Sequence, residues 1–499
     1  MKTKLPQFFL ALVTILMVIT MVIGCTSPTA APTAAPKPPA PTETPLPAPV
    51  TLTYWEWRGG ALASFQETEA LAFHQKYPWI TLKVVQFPDR TAYQNALNLA
   101  FKSGDAPDVY IRTRPLNQTV ADGWAQPIEP YITPEWKARF PEGTFVNFTS
   151  MLDGVTYTFP AYTSGAGRMI FINEDLFRKA GLVDASGNIL TPKTWGDMRQ
   201  MAKQIAQAGK GEYYGIGIGI KDARAMSWWF DLAALAGAPI TPYDFDFHTG
   251  KYVYGTHPAF AQIVELLLGM KNDGSVYPFE STIDDTNIYT FFAQGKFGMF
   301  MSGNYVVSNL KKDWPNFQNY RIVPVPLPDS GKTGDLYLSP SSGTYLLSAK
   351  SKSPKDAFLW IDWLASREYN QRMVAATSNF SIFTDLNTAE TIKDPKVLEA
   401  YAAQKAYGTL APYPPARNPA AALVAPDAIT PDVGDLLIGI YSGKVTDWKQ
   451  ALLDLDVRKQ KAWDAALLKA QAGGAKVTQA DFIFPDWDPL KNYITQPQK

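Results

Sequence analysis

Between residues 50 and 111 the sequence alternates β-branched and aromatic runs with amphipathic ones, and this alternation constrains the fold more than any other feature. Thr51-Leu52-Thr53-Tyr54-Trp55-Glu56-Trp57 reads as a strand ended by Gly59-Gly60. Residues 67–77 read as a helix closed by Pro78, 80–87 as a second strand, 91–103 as a helix stopped by Gly104-Asp105, and 108–111 as a third strand. Strand, helix, strand, helix, strand is the order of a parallel sheet covered on both faces, so the fold class is α/β.

The same chemistry continues along the chain. Asp153-Gly154 between Met151-Leu152 and Val155-Thr156-Tyr157 is a hairpin turn. Residues 169–172 form a buried strand, after which Asn173 caps a helix carrying Glu174 and Asp175 in its first turn and Gly181 as its stop. Thr194-Trp195-Gly196-Asp197 resembles a capping box opening a helix to residue 207. Strands are expected at 214–220, 297–301 and 343–348, and helices at 259–271 and 288–294. Pro354 takes the first position of a further helix, and the C-terminal third is mostly helical around an irregular stretch at 411–431. A chain of 499 residues suggests about two to four globular units.

The first 49 residues are an address and a spacer. Lys2 and Lys4 precede an apolar run over residues 8–23, which is short for a bilayer of about 30 Å and reads as an export signal spanning residues 1–24. The only cysteine, Cys25, ends that run in Val22-Ile23-Gly24-Cys25, which looks like a bacterial lipobox; the likeness implies lipidation of Cys25. Residues 25–49, rich in Pro, Ala and Thr, read as a semi-rigid linker.

Charge and motifs remove several classes of function. With 46 basic and 46 acidic residues there is no basic footprint for nucleic acid. One cysteine excludes an intrachain disulfide framework and a Cys-cluster zinc site, and three histidines offer little for a His-rich centre. Ser330-Gly331-Lys332-Thr333 lacks the earlier glycine of a phosphate loop, where Pro326 stands instead. Gly215, Gly217 and Gly219 have the wrong spacing for a dinucleotide site and read as a small-residue strand. There is no HExxH and no GxSxG, and the first-turn position of Glu174 and Asp175 accounts for that pair structurally. The Tyr213-Tyr214 pair reads as core packing rather than a metal site. The outlier is aromatic content, 14 Trp, 24 Tyr and 27 Phe, more than a core of this size obviously needs.

The order of segments resembles the extracellular solute-binding proteins of ABC importers, in the sugar-binding family that includes the maltose-binding proteins. The likeness is carried by Gly104-Asp105-Ala106-Pro107-Asp108-Val109, the hairpin at 152–157 with Phe159-Pro160, residues 171–182, Pro192-Lys193-Thr194-Trp195, residues 291–304 around Gly295-Lys296, and residues 351–369. It implies a two-lobed periplasmic-binding-protein type II fold with hinge-crossing strands and a ligand cleft between the lobes. Lobe 1 would hold 50–160 plus about 326–378, and lobe 2 about 161–325 plus 379–499, with crossings near 158–162, 323–328 and 378–383. It further implies a monomeric receptor without cofactor, metal or catalytic residue, lipid-anchored on the outer face of the cytoplasmic membrane. Such a receptor would deliver a carbohydrate, as an oligosaccharide, to the permease's transmembrane subunits. A ligand-sensing lipoprotein feeding a membrane histidine kinase is the nearest alternative, and a secreted glycoside hydrolase a more distant one.

A sugar presents apolar faces to aromatic rings and a rim of hydroxyls to planar polar groups. On that chemistry and the resemblance, the ligand-binding candidates are Glu56, Trp57, Arg58, Arg114, Tyr162, Trp228, Asn304, Tyr305, Ser342, Gly343 and Arg417. Trp57 reads equally as core, Glu56 equally as a solvated rim, and Arg112 as cleft or ion pair. Of Trp228-Trp229, one should face the cleft, with Trp228 preferred; Tyr305 matches a family aromatic that stacks on sugar. A neutral, aromatic-lined cleft favours an uncharged ligand.

Overall fold

The computed structural model describes residues 47–59, 61–88, 90–163, 167–239, 244–377 and 379–495. The export signal, Cys25 and nearly all of the linker lie outside the described residues. Among these residues no helix is long and apolar enough to cross a membrane.

Thirteen strands follow in chain order: β1 (Val50–Glu56), β2 (Ile80–Gln86), β3 (Val109–Ile111), β4 (Ala125–Gln126), β5 (Met151–Leu152), β6 (Val155–Thr156) and β7 (Met169–Asn173), then β8 (Tyr214–Gly217), β9 (Phe297–Ser302), β10 (Tyr320–Pro324), β11 (Tyr337–Leu338), β12 (Tyr345–Ser348) and β13 (Thr409–Leu410). Nine of them make two main sheets. The first has the order β2-β1-β3-β12-β4, and β1 lies parallel to both β2 and β3 as the alternating pattern requires. β12 arrives from much later in the chain and runs antiparallel to β3 and β4, so the sheet is mixed at one edge. The second sheet has the order β10-β7-β9-β8, with only β8 and β9 parallel. β7 and β9 are buried at every position, which is why both read as unbroken apolar runs.

Local signals explain most element boundaries. Asp153 and Gly154 both take positive φ, 50° and 81°, the backbone a two-residue hairpin needs. Asn173 accepts from the Leu176 amide, and Thr194 and Asp197 complete a reciprocal capping box at the Trp195–Gly209 helix. That helix packs on β8 through Gly215, where a Cβ would lie 2.0 Å from the Ala202 carbonyl oxygen. The glycine-rich strand is therefore a packing device, and its spacing is set by a helix backbone rather than by a nucleotide.

The chain returns to the first sheet later than the sequence suggests. Leu327 accepts from the Trp195 amide, Leu336 belongs to the core beneath the second sheet, and β11 pairs with β13. Residues 326–338 thus pack with the second half, and the return to the first sheet is made by the stretch leading into β12. The aromatic surplus is also accounted for by cores: Trp136, Trp195, Trp229, Trp360, Trp463 and Trp487 are all buried. A third, aromatic core joins Phe245, Phe247, Trp463, Phe482, Phe484 and Trp487 around the C-terminal segment.

The contact at Gly215 gives a direct stability test. Gly215→Ala should destabilise by about 1–3 kcal/mol, read as a lower urea midpoint at unchanged slope, because the obstructing atom is backbone. Gly217→Ala first meets the Phe297 ring, at 2.5 Å, and should cost less because a side chain can turn aside.

Candidate functional site

β1 ends on an acidic residue that never reaches solvent. Glu56 is fully buried, and its carboxylate accepts from the Trp57 and Arg58 amides at 2.9 and 2.8 Å and from Tyr54 Oη at 2.7 Å. Arg58 doubles back onto it, donating Nε at 2.9 Å and Nη2 at 2.6 Å. The other guanidinium nitrogen, Nη1, donates to Tyr162 Oη at 2.5 Å, and the cation lies 5.3 Å from the Tyr162 ring and 5.4 Å from that of Tyr345. Burial alone would raise the Glu56 carboxyl, but the Arg58 charge and its hydrogen bonds outweigh this and hold it below the usual range. Glu56 is therefore an internal anchor whose acceptors are already taken, not a rim acceptor for ligand. Arg58 is the group it aims.

The second half contributes the end of β9. Tyr305, at the start of the Tyr305–Asp313 helix, keeps 38% of its surface exposed; its hydroxyl lies 2.9 Å from Ser302 Oγ and 3.3 Å from the Asp285 carbonyl. Arg58, Gly59, Ala61 and Leu62 from the first half, and Asn304, Tyr305, Ser308 and Asn309 from the second, line one open recess of about 390 Å³ together with Thr377 and Asn379. Tyr162 joins this group through Arg58. An exposed phenol ring, a fixed guanidinium and amide side chains can together cover an apolar face and satisfy hydroxyls.

Beside Tyr305 lies a cationic aromatic cluster. Trp228 sits in the Ala223–Asp231 helix, capped by Asp222, and retains only 8% exposure. Arg168 lies 3.9 Å over its ring and Arg224 at 5.2 Å. Trp228 is thus covered by arginines rather than offered as a stacking platform, and Trp229 is buried as well. Arg168 pairs with Asp231 at 3.3 Å, and Arg224 pairs with Asp285. Asp231 keeps 44% of its side-chain surface because it faces a hollow of about 180 Å³ lined also by Asp244 and Lys459. Protein nevertheless surrounds that hollow, and burial pushes the Asp231 carboxyl up to about 6 despite Arg168.

Four other expected residues serve the fold. Arg114 pairs with Asp122 and lies 4.3 Å over Trp124, which stacks in turn on Phe101. Arg417 lies 3.4 Å over Phe484 and donates to the Ile483 carbonyl at 2.6 Å, fastening the C-terminal segment. Gly343 donates to Thr149 O, accepts from Arg112 Nε at 2.9 Å, and gives way to Thr158, whose Cγ2 would lie 2.0 Å from any Cβ; its backbone is closed to a ligand. Trp57 is half-buried against the first core, its indole N–H buried without a hydrogen-bond partner, while Ser342 is exposed. Arg168 and Asp231 escaped the sequence reading; the signal available was Gly167-Arg168 directly before a buried strand. Among the described residues no group of three or more His, Cys, Asp or Glu side chains could hold a metal ion.

Two α/β halves, with hydrogen-bonding side chains from both and the Tyr305 ring from the second lining one recess, define a two-lobed binding protein of the periplasmic type. The chain matches the family of bacterial extracellular solute-binding proteins over residues 59–371, and it belongs to that family. Membership places it outside the cytoplasm, in a periplasmic or extracellular setting. A binding protein of Brucella abortus (strain 2308) is 28% identical over 324 residues, 65% of this chain and 73% of the relative. Among solved structures, the GacH receptor of Streptomyces glaucescens GLA.O aligns with a TM-score of 0.61 at 16% identity, over 83% of this chain and 98% of its own. The sugar-binding protein MalE of Xanthomonas citri gives 0.60 at 18%, over 86% and 100%, and the cyclic α-maltosyl-1,6-maltose binding protein of Arthrobacter globiformis 0.59 at 15%, over 84% and 99%. These likenesses fix the fold.

The Glu56–Arg58 pair predicts a pH-dependent stability. Glu56→Gln leaves a buried guanidinium uncompensated and should cost about 3 kcal/mol in urea unfolding near neutral pH. Because the folded carboxyl titrates below its ordinary 4.5, the wild-type advantage is complete above that pH and is lost as pH falls through the lowered value.

Proposed function

We propose that this protein is the substrate-binding lipoprotein of an ABC importer, capturing a carbohydrate, an oligosaccharide, between its halves and delivering it to the permease. The observation that carries this reading is the shared recess, to which Arg58 comes from the end of β1 and Asn304 and Tyr305 come from the end of β9. Its volume of about 390 Å³ suits a small saccharide, since ligand sites usually fall between about 300 and 1,000 Å³. Relatives of the same fold support the ligand class: GacH was solved in complex with acarbose and an acarbose homolog, and the Arthrobacter globiformis protein is described by its cyclic maltosyl-maltose ligand.

The mechanism follows from where the groups sit. The first half holds Arg58 in place through Glu56, which takes Nε and Nη2, and Tyr162, which takes one hydrogen of Nη1, leaving the other Nη1 hydrogen for a ligand. Ligand engaging Arg58 then gains the Tyr305 ring and Asn304 only when the second half approaches, so it binds the closed arrangement more tightly and shifts the population toward it. Lobe 1 in this reading comprises about 50–160 and the later stretch around β12, and lobe 2 the residues around the second sheet with the C-terminal segment. Lipidation at Cys25 and the Pro-rich spacer would tether a monomeric receptor to the membrane beside its permease.

Calorimetry of the full chain against a panel of oligosaccharides tests the reading. At least one should bind, and Tyr305→Ala should weaken it about tenfold, or about 1.4 kcal/mol, by removing the exposed stacking face. Failure of every saccharide to bind would overturn it.

A further inference from the structure

The residues around the end of β9 dictate how the Tyr305 ring stands in the recess. Gly303 is buried, and its backbone is not in the left-handed region, so space rather than conformation calls for a glycine there. A Cβ at Gly303 would stand 2.8 Å from Tyr305 Cε1, 3.0 Å from its Cδ1 and 3.3 Å from the Gly167 carbonyl oxygen. The ring thus folds back against its own chain, at a spot that a side chain would fill.

The tip of the ring is pinned as well. Tyr305 Oη lies 2.9 Å from Ser302 Oγ and donates to the Asp285 carbonyl oxygen at 3.3 Å. Burial raises the pKa of the phenol, which keeps its single proton; with that proton on Asp285, Ser302 is the donor in the shorter bond. Both partners are themselves held. Ser302 is buried as the last residue of β9, a strand paired on both sides by β7 and β8, and the Asp285 side chain is tied to Arg224. Excluded volume along one edge and hydrogen bonds at the tip therefore fix a ring that still keeps 38% of its residue surface and lines the recess. An added methyl at Gly303 could be relieved only by breaking those bonds or turning the ring into the recess.

We propose that Gly303 and Ser302 are positioning residues of the ligand site: Gly303 seats the Tyr305 ring, Ser302 pins its tip, and the ring so held takes a sugar by stacking rather than through a hydrogen bond from its hydroxyl. This rests on the carbohydrate reading above. It gives the second half a preorganised surface, the counterpart of the Arg58 anchor in the first.

Calorimetry of the full chain with a neutral panel (maltotriose, xylotriose, raffinose and cyclic α-maltosyl-1,6-maltose) tests the assignment through two double-mutant cycles. Gly303→Ala should weaken the bound sugar about fivefold in the wild-type chain but less than about twofold in the Tyr305→Ala background, where no ring is left to displace. Ser302→Ala should weaken it about threefold alone and leave it unchanged in the Tyr305→Phe background, which has no hydroxyl to pin. The Ser302→Ala and Tyr305→Phe variants lose single oxygen atoms and carry the test even where Gly303→Ala does not fold. Losses of equal size with and without the Tyr305 ring or hydroxyl would make both residues merely structural, overturning the positioning assignment and leaving the carbohydrate reading standing. Binding of no sugar in the panel by the wild-type chain would overturn both.

Discussion

A buried ion pair at the end of one strand organises the candidate site. Glu56 closes β1 in a place with no access to water, and such a charge is tolerable only if its lone pairs are all engaged. Two backbone amides, a phenol and an arginine engage them. The consequence is that Arg58, itself mostly covered, cannot swing into solvent, and Tyr162 and Tyr345 of β12 are held against it. The pair is worth more as a positioning device than as a source of stability. In the proposed reading it gives the first half a fixed donor before any ligand arrives, which reduces the ordering cost of binding.

The second half is built differently. Its central strand β9 is apolar until its last residue, Ser302, and a helix begins just beyond it. Tyr305 stands partly free there, tied through its hydroxyl but with its ring face open. Behind it, Arg168, Trp228 and Arg224 form a stack of cations on an indole, each cation with its own carboxylate. One half therefore offers a rigid charged donor and the other an aromatic surface backed by neutralised charge, a division of labour suited to a ligand with both a hydroxylated rim and an apolar face.

Much of this was legible in the sequence because it depends on local chemistry. The hairpin at Asp153-Gly154, the Asn173 cap, the Thr194 capping box and the buried runs of β7 and β9 are each written in adjacent residues. The segment order then led to the family. What was illegible depends on partners far along the chain. Nothing near Gly343 announces that Thr158 passes over it, and nothing near Arg417 announces Phe484. Trp228 has the composition of a sugar platform, and only the fold reveals that Arg168 occupies its face. Leu327 and Leu336 carry no mark of which sheet they serve, so the sequence puts the point of return earlier than the fold does. The first turn of the Ala61–Lys76 helix is hidden in the sequence although Leu62 and Phe65 have helical spacing, because the turn-forming Gly59-Gly60 directly precedes it.

The central claim is that two halves close on a guest held between Arg58 and Tyr305. Small-angle X-ray scattering of the full chain, without ligand and saturated with a bound oligosaccharide, addresses it most directly. The account predicts a smaller radius of gyration in the saturated sample and an intermediate, two-state mixture at partial saturation. An unchanged scattering profile at full occupancy would contradict it.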